Sequence, residues 1–445
     1  MDEAQALGQE KVGKLLWRFS LPAIVGMVVN ALYNVVDSIF VGNGVGEVGL
    51  TAVTIAFPIM IILMAIGMLI GIGASTLVSI RLGEQKHAEA EIILGNAFSL
   101  MVVAVVTTTA LALAFLDEIL LFLGAEPGVL PYAREFARII LIGSLFMHIG
   151  FGLNNIIRAE GHPKVAMATM LISAVLNTML NPLFIFVFKL GIAGSALATV
   201  ASQAVSAAWV LRFLTSDQGI LRLRSANLRL DANIVWEIFK LGLSPFLMQL
   251  AASVVTVLFN YSLLRYGGDL AVAAIGIINR VSMLILMPIF GISQGVQPIL
   301  GYNYGAKNYD RVIAVMRLGI IAATGISIAG FAVTQLFAEP IIRIFNDNPA
   351  LIAIGADGLK AFLIMLPIIG FQVIGANYFQ AAGKAGFAIF LSMSRQVIIL
   401  IPAIILLPQF FGMNGIWYAA PVADIVSSIL TGGYLWLELR RLSNA

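Results

Sequence analysis

The amino-acid sequence predicts an all-α polytopic membrane protein, with twelve transmembrane helices in two parallel-repeat six-helix lobes around a central cavity. Three observations lead to this fold class: the composition, the recurrence of long apolar runs, and an internal repeat. Of the 445 residues, 60% are hydrophobic and only 11% are charged, whereas soluble domains carry about 25% charged residues. The chain therefore lacks the polar residues that a soluble enzyme or a disordered scaffold needs.

The charge balance and the low content of cysteine and histidine exclude several other functions. The 26 basic and 23 acidic residues nearly cancel, so no nucleic-acid partner is expected. The chain has no cysteine and only three scattered histidines, so we expect no metal cluster and no cofactor. No segment resembles a Walker A loop, and we therefore expect no nucleotide either.

Long apolar runs recur along the whole chain. A helix needs about 20 mostly apolar residues to cross a bilayer, and twelve runs of this kind are separated by short polar joints. They are residues 17–41, 51–80, 92–116, 137–158, 166–188, 192–213, 235–264, 271–300, 312–337, 356–381, 387–408 and 414–437. Strands of a membrane barrel would alternate polar and apolar residues. These runs do not alternate, so they predict helices.

The polar segments predict the domain organisation and the sidedness. We expect a cytoplasmic lead-in helix at 1–16, an N-terminal six-helix lobe at 17–214, a cytoplasmic linker at 215–233 and a C-terminal six-helix lobe at 234–445. Of the basic residues in the termini and joints, eighteen fall on the side of the two termini and six on the other side. The positive-inside rule then places both termini in the cytoplasm.

The two halves of the chain resemble each other at a nearly constant offset. Pro22 corresponds to Pro245, and Gly161 corresponds to Gly383. Because each half has an even number of spans, the two halves should have the same orientation in the membrane. Transporters with such repeats bind their substrate between the halves and alternate access by moving one half against the other. A duplicated scaffold without a transport role is the alternative.

Five segments carry a resemblance to a known family. They are LYNVVDSIFVGNGVG at 32–46, GIGASTLVSIRLGEQKHAEAE at 71–91, IIRAEGHPKVAMATMLISAVLNTMLNPLFIF at 156–186, INRVSMLILMPIFGISQGVQPILGYNYGAKNYDRV at 278–312 and NYFQAAGKA at 377–385. With these motifs the chain resembles the multidrug and toxic compound extrusion (MATE) family, in its bacterial MepA-like and DinF-like branch. The resemblance implies export of organic cations or other amphiphilic compounds by antiport with protons or sodium. We expect a monomer in a bacterial or archaeal plasma (inner) membrane.

Asp37 is the main candidate for ion coupling. A carboxylate inside an apolar span costs on the order of 2.5–3.5 kcal/mol on insertion scales, so a functional role is the default hypothesis. Such a carboxyl group can bind and release a proton during transport. Alternatively, Asp37 caps the outer end of the first span in interfacial water, because Gly42 follows closely. The resemblance favours function, since the family uses an acid at this place for cation coupling.

The resemblance also implies partners for Asp37. Asn177 and Asn181 are four residues apart and so share one helix face; Thr199 and Asn34 are the other candidates. Family members commonly carry an aspartate where this chain has Asn181. With a single carboxylate, a sodium site at Asp37, Asn177, Asn181 and Thr199 would be weak, so we expect a proton in preference to sodium. Helix–helix hydrogen bonding is the alternative role of the two amides.

Three charged residues lie well inside the predicted spans of the C-terminal lobe. Arg280, Arg395 and Asp424 would each be costly if unpaired, so at least one Arg–Asp pair is expected. These residues serve either structure or substrate recognition. Asn260 stands where an acid would mirror Asp37, so ion coupling is expected in the N-terminal lobe.

Two further sets of residues are candidates for the transport cycle. Pro22 and Pro245 each remove one backbone hydrogen bond from the first helix of a lobe and favour a kink, which either packing or transport can require. Methionine and aromatic side chains suit a soft cavity that accepts varied ligands. The candidates for such a cavity are Met27, Tyr33, Phe57, Met60, Met64, Met248, Met283 and Met287, together with Arg280, Arg395 and Asp424.

Two other functions remain as alternatives. A flippase for a lipid or lipid-linked precursor would need a basic cavity for phosphate groups, and Arg280 with Arg395 keeps this alternative open. A membrane-embedded lipid-modifying enzyme would need acids or histidines clustered at one depth, and the sequence offers no such cluster. We therefore expect a transporter and not an enzyme.

Overall fold

The computed structural model describes the backbone of residues 3–443, with all their side chains except those of residues 3, 4 and 34. Within this range every regular element is helical, because a backbone in lipid must satisfy its hydrogen bonds internally. The first half contains α1 (Glu3–Gln9), α2 (Val12–Val45), α3 (Glu47–Gly83), α4 (His87–Ala114), α5 (Leu116–Phe122), α6 (Leu130–Ala159), α7 (Pro163–Pro182) and α8 (Gly191–Thr215). The second half contains α9 (Ala232–Gly305), α10 (Tyr309–Leu336), α11 (Ala338–Arg343), α12 (Pro349–Phe362), α13 (Leu366–Ala381), α14 (Ala385–Met393), α15 (Ile401–Phe411) and α16 (Met413–Ser443).

These helices supply the twelve predicted spans. In the described part of the chain, ten continuous helical stretches are long and apolar enough to cross a bilayer, and one of them, Ala385–Phe411, runs from α14 to α15. Helices α12 and α13 together make an eleventh candidate span, which is bent by 47°. One of the ten, α9, has 74 residues; a straight helix of that size would be about 111 Å long, several times the thickness of a membrane. Gly268 interrupts α9 with a φ of 67°, so this helix contains two spans.

Two regions differ from the sequence-based expectation. The predicted lead-in helix is divided: α1 ends at Gln9 and α2 begins at Val12, and Glu10 between them forms ion pairs with Lys14 and Arg18. The predicted tenth span is not straight, because α13 has a proline at its second position. A proline is tolerated in the first turn of a helix but disrupts a helix interior, which explains why a new helix starts at this point.

The internal repeat is visible in the backbone. Helices α4 and α10 both have 28 residues, and their first residues are 222 positions apart. The joints before the second span of each half contain Gly46 with φ of 78° and Gly268 with φ of 67°. The next joints contain Gln85 and Lys307, with φ of 62° and 57°. Corresponding joints thus turn in the same way, which confirms two parallel repeats.

The chain forms two compact units that differ from the predicted lobes in their first helices. One unit contains α1 and residues 25–246, and the other contains residues 10–24 and the chain from Leu247 onward. Both long helices α2 and α9 therefore begin in one unit and continue in the other. In α2 the first unit meets the second within two residues of Pro22, and in α9 within two residues of Pro245.

Glycines explain why the start of α9 belongs to the first unit. A Cβ atom on Gly73 of α3 would collide with the carbonyl oxygen of Ile238, and one on Gly242 of α9 would collide with the backbone of Leu69. Small residues at a helix crossing let two backbones approach closely, which increases van der Waals contact. Helices α3 and α9 are therefore packed backbone to backbone at this crossing.

The second unit contains a similar crossing between α2 and the later part of α9. Cβ atoms on Gly291 and Gly295 would overlap the backbones of Ile24 and Ser20. Arg311 of α10 also donates to the backbone carbonyl of Glu10, at 2.7 Å. These contacts attach the first part of α2 to the second unit.

The predicted linker lies against the first unit in an ordered conformation. The side chain of Glu160 accepts hydrogen bonds from the backbone N–H groups of Ile220 and Leu221, at 3.2 and 3.0 Å. The side-chain oxygen of Asn96 accepts from the backbone N–H of Asp231, at 2.7 Å. Side chains of α4 and of the α6–α7 corner thus satisfy backbone groups of the linker that would otherwise need water.

Each unit has its own apolar core. In the first unit, Leu63 of α3, Leu120 of α5 and Phe136 of α6 are buried together. In the second unit, Leu359 of α12 and Trp417 of α16 belong to a larger buried cluster. The short helices α5 and α11, which the apolar runs do not predict as separate elements, contribute to these cores.

Candidate functional site

Five polar side chains from three helices form one hydrogen-bonded cluster in the first unit. The Asp37 carboxylate on α2 accepts from the amide of Asn181 on α7 and from the hydroxyl of Ser195 on α8, the latter at 3.4 Å. The same amide nitrogen of Asn181 donates to the Asn177 oxygen at 3.1 Å. Asn177 in turn donates to the Thr199 hydroxyl at 3.1 Å. The cluster is therefore a continuous chain of hydrogen bonds with Asp37 near one end.

The helical period brings these residues together. Asn177 and Asn181 are one turn apart on α7, and Ser195 and Thr199 are one turn apart on α8, so each pair shares a helix face. All four are buried, with at most 8% of each residue exposed, and Asp37 is half-buried. The cluster thus combines a single half-buried carboxylate with four buried, neutral polar side chains.

Packing of α2 against α7 and the segment after it positions Asp37. Gly26 lies beside Met170 of α7, and the rings of Phe40 and Phe186 are in edge contact with centroids 6.4 Å apart. These contacts lie on both sides of Asp37 along α2. They hold the carboxylate next to the two asparagines.

Each unit has a π-helical segment, in which the turn is wider than in an α-helix, beside a charged residue within a membrane span. Residues Leu183–Val187 form a π-helical segment directly after Pro182, and Ser394–Leu400 form another that contains Arg395. Pro182, which lacks the N–H group that a regular helix uses, directly precedes the first of these segments. Wide turns of this kind occur frequently at functional sites.

One atom of the cluster has no hydrogen-bonding partner among the described side chains. The side-chain oxygen of Asn181 is buried and accepts no hydrogen bond from the described residues. A buried polar atom without a partner is costly, and this one lies on the amide that touches Asp37. It can accept a hydrogen from a protonated carboxyl group or serve as a ligand for a cation.

The structure brings together four of the five residues that the sequence marks as coupling candidates. Asp37, Asn177, Asn181 and Thr199 are joined, whereas the side chain of Asn34 lies outside the described residues. The sequence-based set did not include Ser195. The missed signal was its position, one turn before Thr199 on the same helix face.

The expected Arg–Asp pair forms in the second unit. Arg395 donates from Nε to the Asp424 carboxylate at 2.7 Å, and the Asp424 side chain is 3% exposed. Arg280 is exposed and forms no ion pair with the described residues. The charges of Arg395 and Asp424 thus compensate each other. The charge of Arg280, in contrast, is exposed and has no ion-pair partner among the described residues.

The methionine and aromatic candidates for a substrate cavity are not part of the fully buried cores. Phe57, Met64 and Met283 are exposed, by 55%, 36% and 45%. The half-buried candidates are Met27, Tyr33, Met60, Met248 and Met287. Their membership of a common cavity remains a prediction. Helices α2 and α9 continue through Pro22 and Pro245, and a role of these prolines in kinking is also still a prediction.

Comparison with known proteins matches both repeats to one family. The MatE family model matches residues 22–183 and again residues 245–405. A solved structure of the MATE multidrug transporter DinF-BH is 40% identical, with a TM-score of 0.90 over 96% of each chain. A multidrug resistance MATE family transporter of the MOP superfamily, solved in an outward-facing conformation, has a TM-score of 0.94 at 25% identity, over 100% of this chain and 99% of that one. The multidrug export protein MepA of Staphylococcus haemolyticus is 26% identical over 95% of this chain and 93% of its own.

These findings define the class of protein. The fold is that of a multi-pass membrane protein built from two parallel repeats, each of which matches the same family model. The chain belongs to the MATE family of multidrug efflux transporters. The resemblance that the sequence motifs carry is thereby confirmed, and members of this family are transporters, not enzymes.

Proposed function

We propose that this protein is a secondary active antiporter that exports organic cations or other amphiphilic compounds, with protons in preference to sodium as the coupling ion. The hydrogen-bonded contact between Asp37 and Asn181 is the observation that carries this proposal. It is the one place in the described part of the first unit where a carboxylate within a membrane span meets a chain of buried polar groups.

The cluster can accommodate both protonation states of Asp37. When the carboxyl is ionised, the Asn181 amide donates to it, as in the structure. When it is protonated, a half-turn of the amide presents the Asn181 oxygen, which then accepts the new O–H. If Asn177 turns as well, it donates to Asn181 and accepts from Thr199. Uptake of a proton at Asp37 would then reverse the direction of the whole hydrogen-bond chain.

A sodium ion has fewer advantages at this place. Hard cations prefer several oxygen ligands, and the cluster offers one carboxylate, two amide oxygens and hydroxyl groups. A second acid where this chain has Asn181 would add the negative charge that such an ion needs. The chain instead provides neutral groups that pair well with a carboxyl group in either state.

Substrate class and mechanism follow from the relatives and from the repeat. The relatives are described as multidrug transporters, and exposed Phe57, Met64 and Met283 offer adaptable apolar surface. Alternating access would use the two repeats as moving bodies, with bending of α2 at Pro22 and of α9 at Pro245. We place the protein as a monomer in a bacterial or archaeal plasma membrane, with both termini in the cytoplasm.

Transport in proteoliposomes tests this function. Efflux of a fluorescent organic cation should follow an imposed proton gradient and respond weakly to a sodium gradient. Asp37→Asn should abolish gradient-driven transport and leave binding of the dye in detergent largely intact, because only the titrating charge is lost. Asp347→Asn, at an exposed joint, is the matched control and should transport normally. Full proton-driven transport by Asp37→Asn, or transport as strong under a sodium gradient alone as under a proton gradient, would contradict the proposal.

A further inference from the structure

Arg280 lies near the middle of a membrane span. It follows the Gly268 break in α9 by twelve residues. At about 1.5 Å per residue it is about 18 Å from that end of the span, and the hydrocarbon core of a bilayer is about 30 Å thick. Its side chain is therefore too deep to reach either membrane surface easily.

The side chain points away from the core of its own unit. Ile278 and Val281, on neighbouring positions of the helix, are 0% and 8% exposed, whereas Met283 and Leu284 are 45% and 57% exposed. Arg280 lies with the latter two on the exposed face. One turn earlier is Gly276, around whose Cβ position there is no atom within 4 Å. The guanidinium group therefore has open space beside it.

The charge of Arg280 is not compensated within the described residues. The second unit neutralises its other intramembrane arginine, Arg395, with Asp424. No carboxylate among the described residues pairs with Arg280 in this way. A bare charge at this depth is costly against lipid, and intramembrane charges almost always face a water-filled cavity or a partner. The exposed face around Arg280 is thus expected to contact water and solutes.

We propose that Arg280 is an anion-recognition subsite, and that the exported compounds include amphiphiles that carry an oxyanion such as a carboxylate or a phosphate. A guanidinium group is a planar fork that can bind both oxygens of such a group at once. Met283 and Leu284 supply apolar surface on the same exposed face. Asn279, also exposed, adds an amide donor. This proposal rests on the export function proposed above and extends it to anionic and zwitterionic substrates.

A matched pair of dyes tests the subsite. A rhodamine with a free carboxylate and its methyl ester differ in one negative charge, and their binding to the purified protein can be followed by fluorescence polarisation without any ion gradient. Arg280→Gln should weaken binding of the acid by about tenfold, the loss expected for one charge-assisted pair. Its binding of the ester should stay within about twofold, which also shows that the variant is folded.

Two further variants sharpen the result. Arg280→Lys keeps the charge without the fork and should lie between the wild type and Arg280→Gln for the acid. Arg317→Gln removes an exposed arginine from α10 and should change neither dye. An unchanged ratio of acid to ester binding in Arg280→Gln would overturn the proposal. Ester export under a proton gradient tests the transport function separately, so failure of one proposal is distinguishable from failure of the other.

Competition identifies the source of the oxyanion. Short-chain phosphatidylglycerol should displace the acid dye from the wild-type protein if Arg280 binds lipid phosphate, and a soluble aromatic carboxylate should displace it if the group belongs to an exported solute. Either competition should be lost in Arg280→Gln. Competition that persists in this variant would place the anion elsewhere and contradict the assignment.

Discussion

Asn181 and Asp37 are hydrogen-bonded between α7 and α2, although 144 residues separate them in the chain. The side-chain N–H of Asn181 donates to the carboxylate. The side-chain oxygen of Asn181 is buried and has no partner among the described residues. The identity of this one side chain thus determines whether the site holds one negative charge or two.

A second acid at this position should change the response to sodium. In Asn181→Asp, two neighbouring carboxylates offer four oxygens and more negative charge. Two adjacent negative charges repel each other, so the site is more stable with a cation bound between them than without one. We expect sodium-dependent dye transport to appear, with sodium also protecting the purified variant against heat. Transport under a sodium gradient and thermal unfolding with and without sodium measure these effects.

The matched control for this variant adds an acid outside the cluster. Asn346→Asp changes an exposed joint and should leave the sodium response at the wild-type level. If Asn181→Asp folds but responds to sodium no more than Asn346→Asp does, the charge of the site does not select the ion.

The apolar runs predict the spans, and the offset between the two halves predicts the repeat. The resemblance to the MATE family implies Asn177, Asn181 and Thr199 as partners of Asp37. Asn177 and Asn181 mark one helix face by their spacing alone. The pairing of Asp37 with Ser195 depends on how α2 packs against α7 and α8, and no local pattern encodes that packing. In the same way, the glycines Gly73 and Gly242 are visible in the sequence, but their crossing is a tertiary contact. Arg280 and Arg395 look alike as sequence, and only the structure separates the paired from the exposed arginine.

The Arg395–Asp424 pair should stabilise the second unit in an asymmetric way. Removal of one partner from a buried pair leaves an uncompensated charge and typically costs about 3–5 kcal/mol. The Asp424 side chain is 3% exposed and that of Arg395 is 27% exposed. Arg395→Gln leaves the more deeply buried charge, the carboxylate, without a partner. It should therefore destabilise the protein more than Asp424→Asn does. The double variant should be more stable than Arg395→Gln. Apparent unfolding temperatures in detergent give the order, and a double variant less stable than Arg395→Gln would show that the pair does not act as a unit.

The crossing of α3 and α9 should tolerate no side chain at Gly242. A Cβ atom there would overlap the backbone of Leu69, so Gly242→Ala should force the helices apart and cost about 1–3 kcal/mol, as overpacking generally does. Gly325→Ala on α10 meets no atom within 4 Å and should be neutral or stabilising by up to about 1 kcal/mol, because alanine favours helix. Thermal unfolding of the two variants compares them directly. Equal stability would mean that α3 and α9 can separate at this point without loss.

Single cysteines should report the sidedness of the chain. The protein has no native cysteine, so each introduced thiol is the only target for a membrane-impermeant maleimide. Ser225 in the linker and Asn346 before α12 are both exposed, and the distribution of basic residues puts them on opposite sides of the membrane. In intact cells Asn346→Cys should be labelled and Ser225→Cys should not. After permeabilisation Ser225→Cys should react as well, since the ordered linker still exposes this side chain. Labelling of Ser225→Cys in intact cells would reverse the predicted orientation and, with it, the direction of transport relative to the proposed proton gradient.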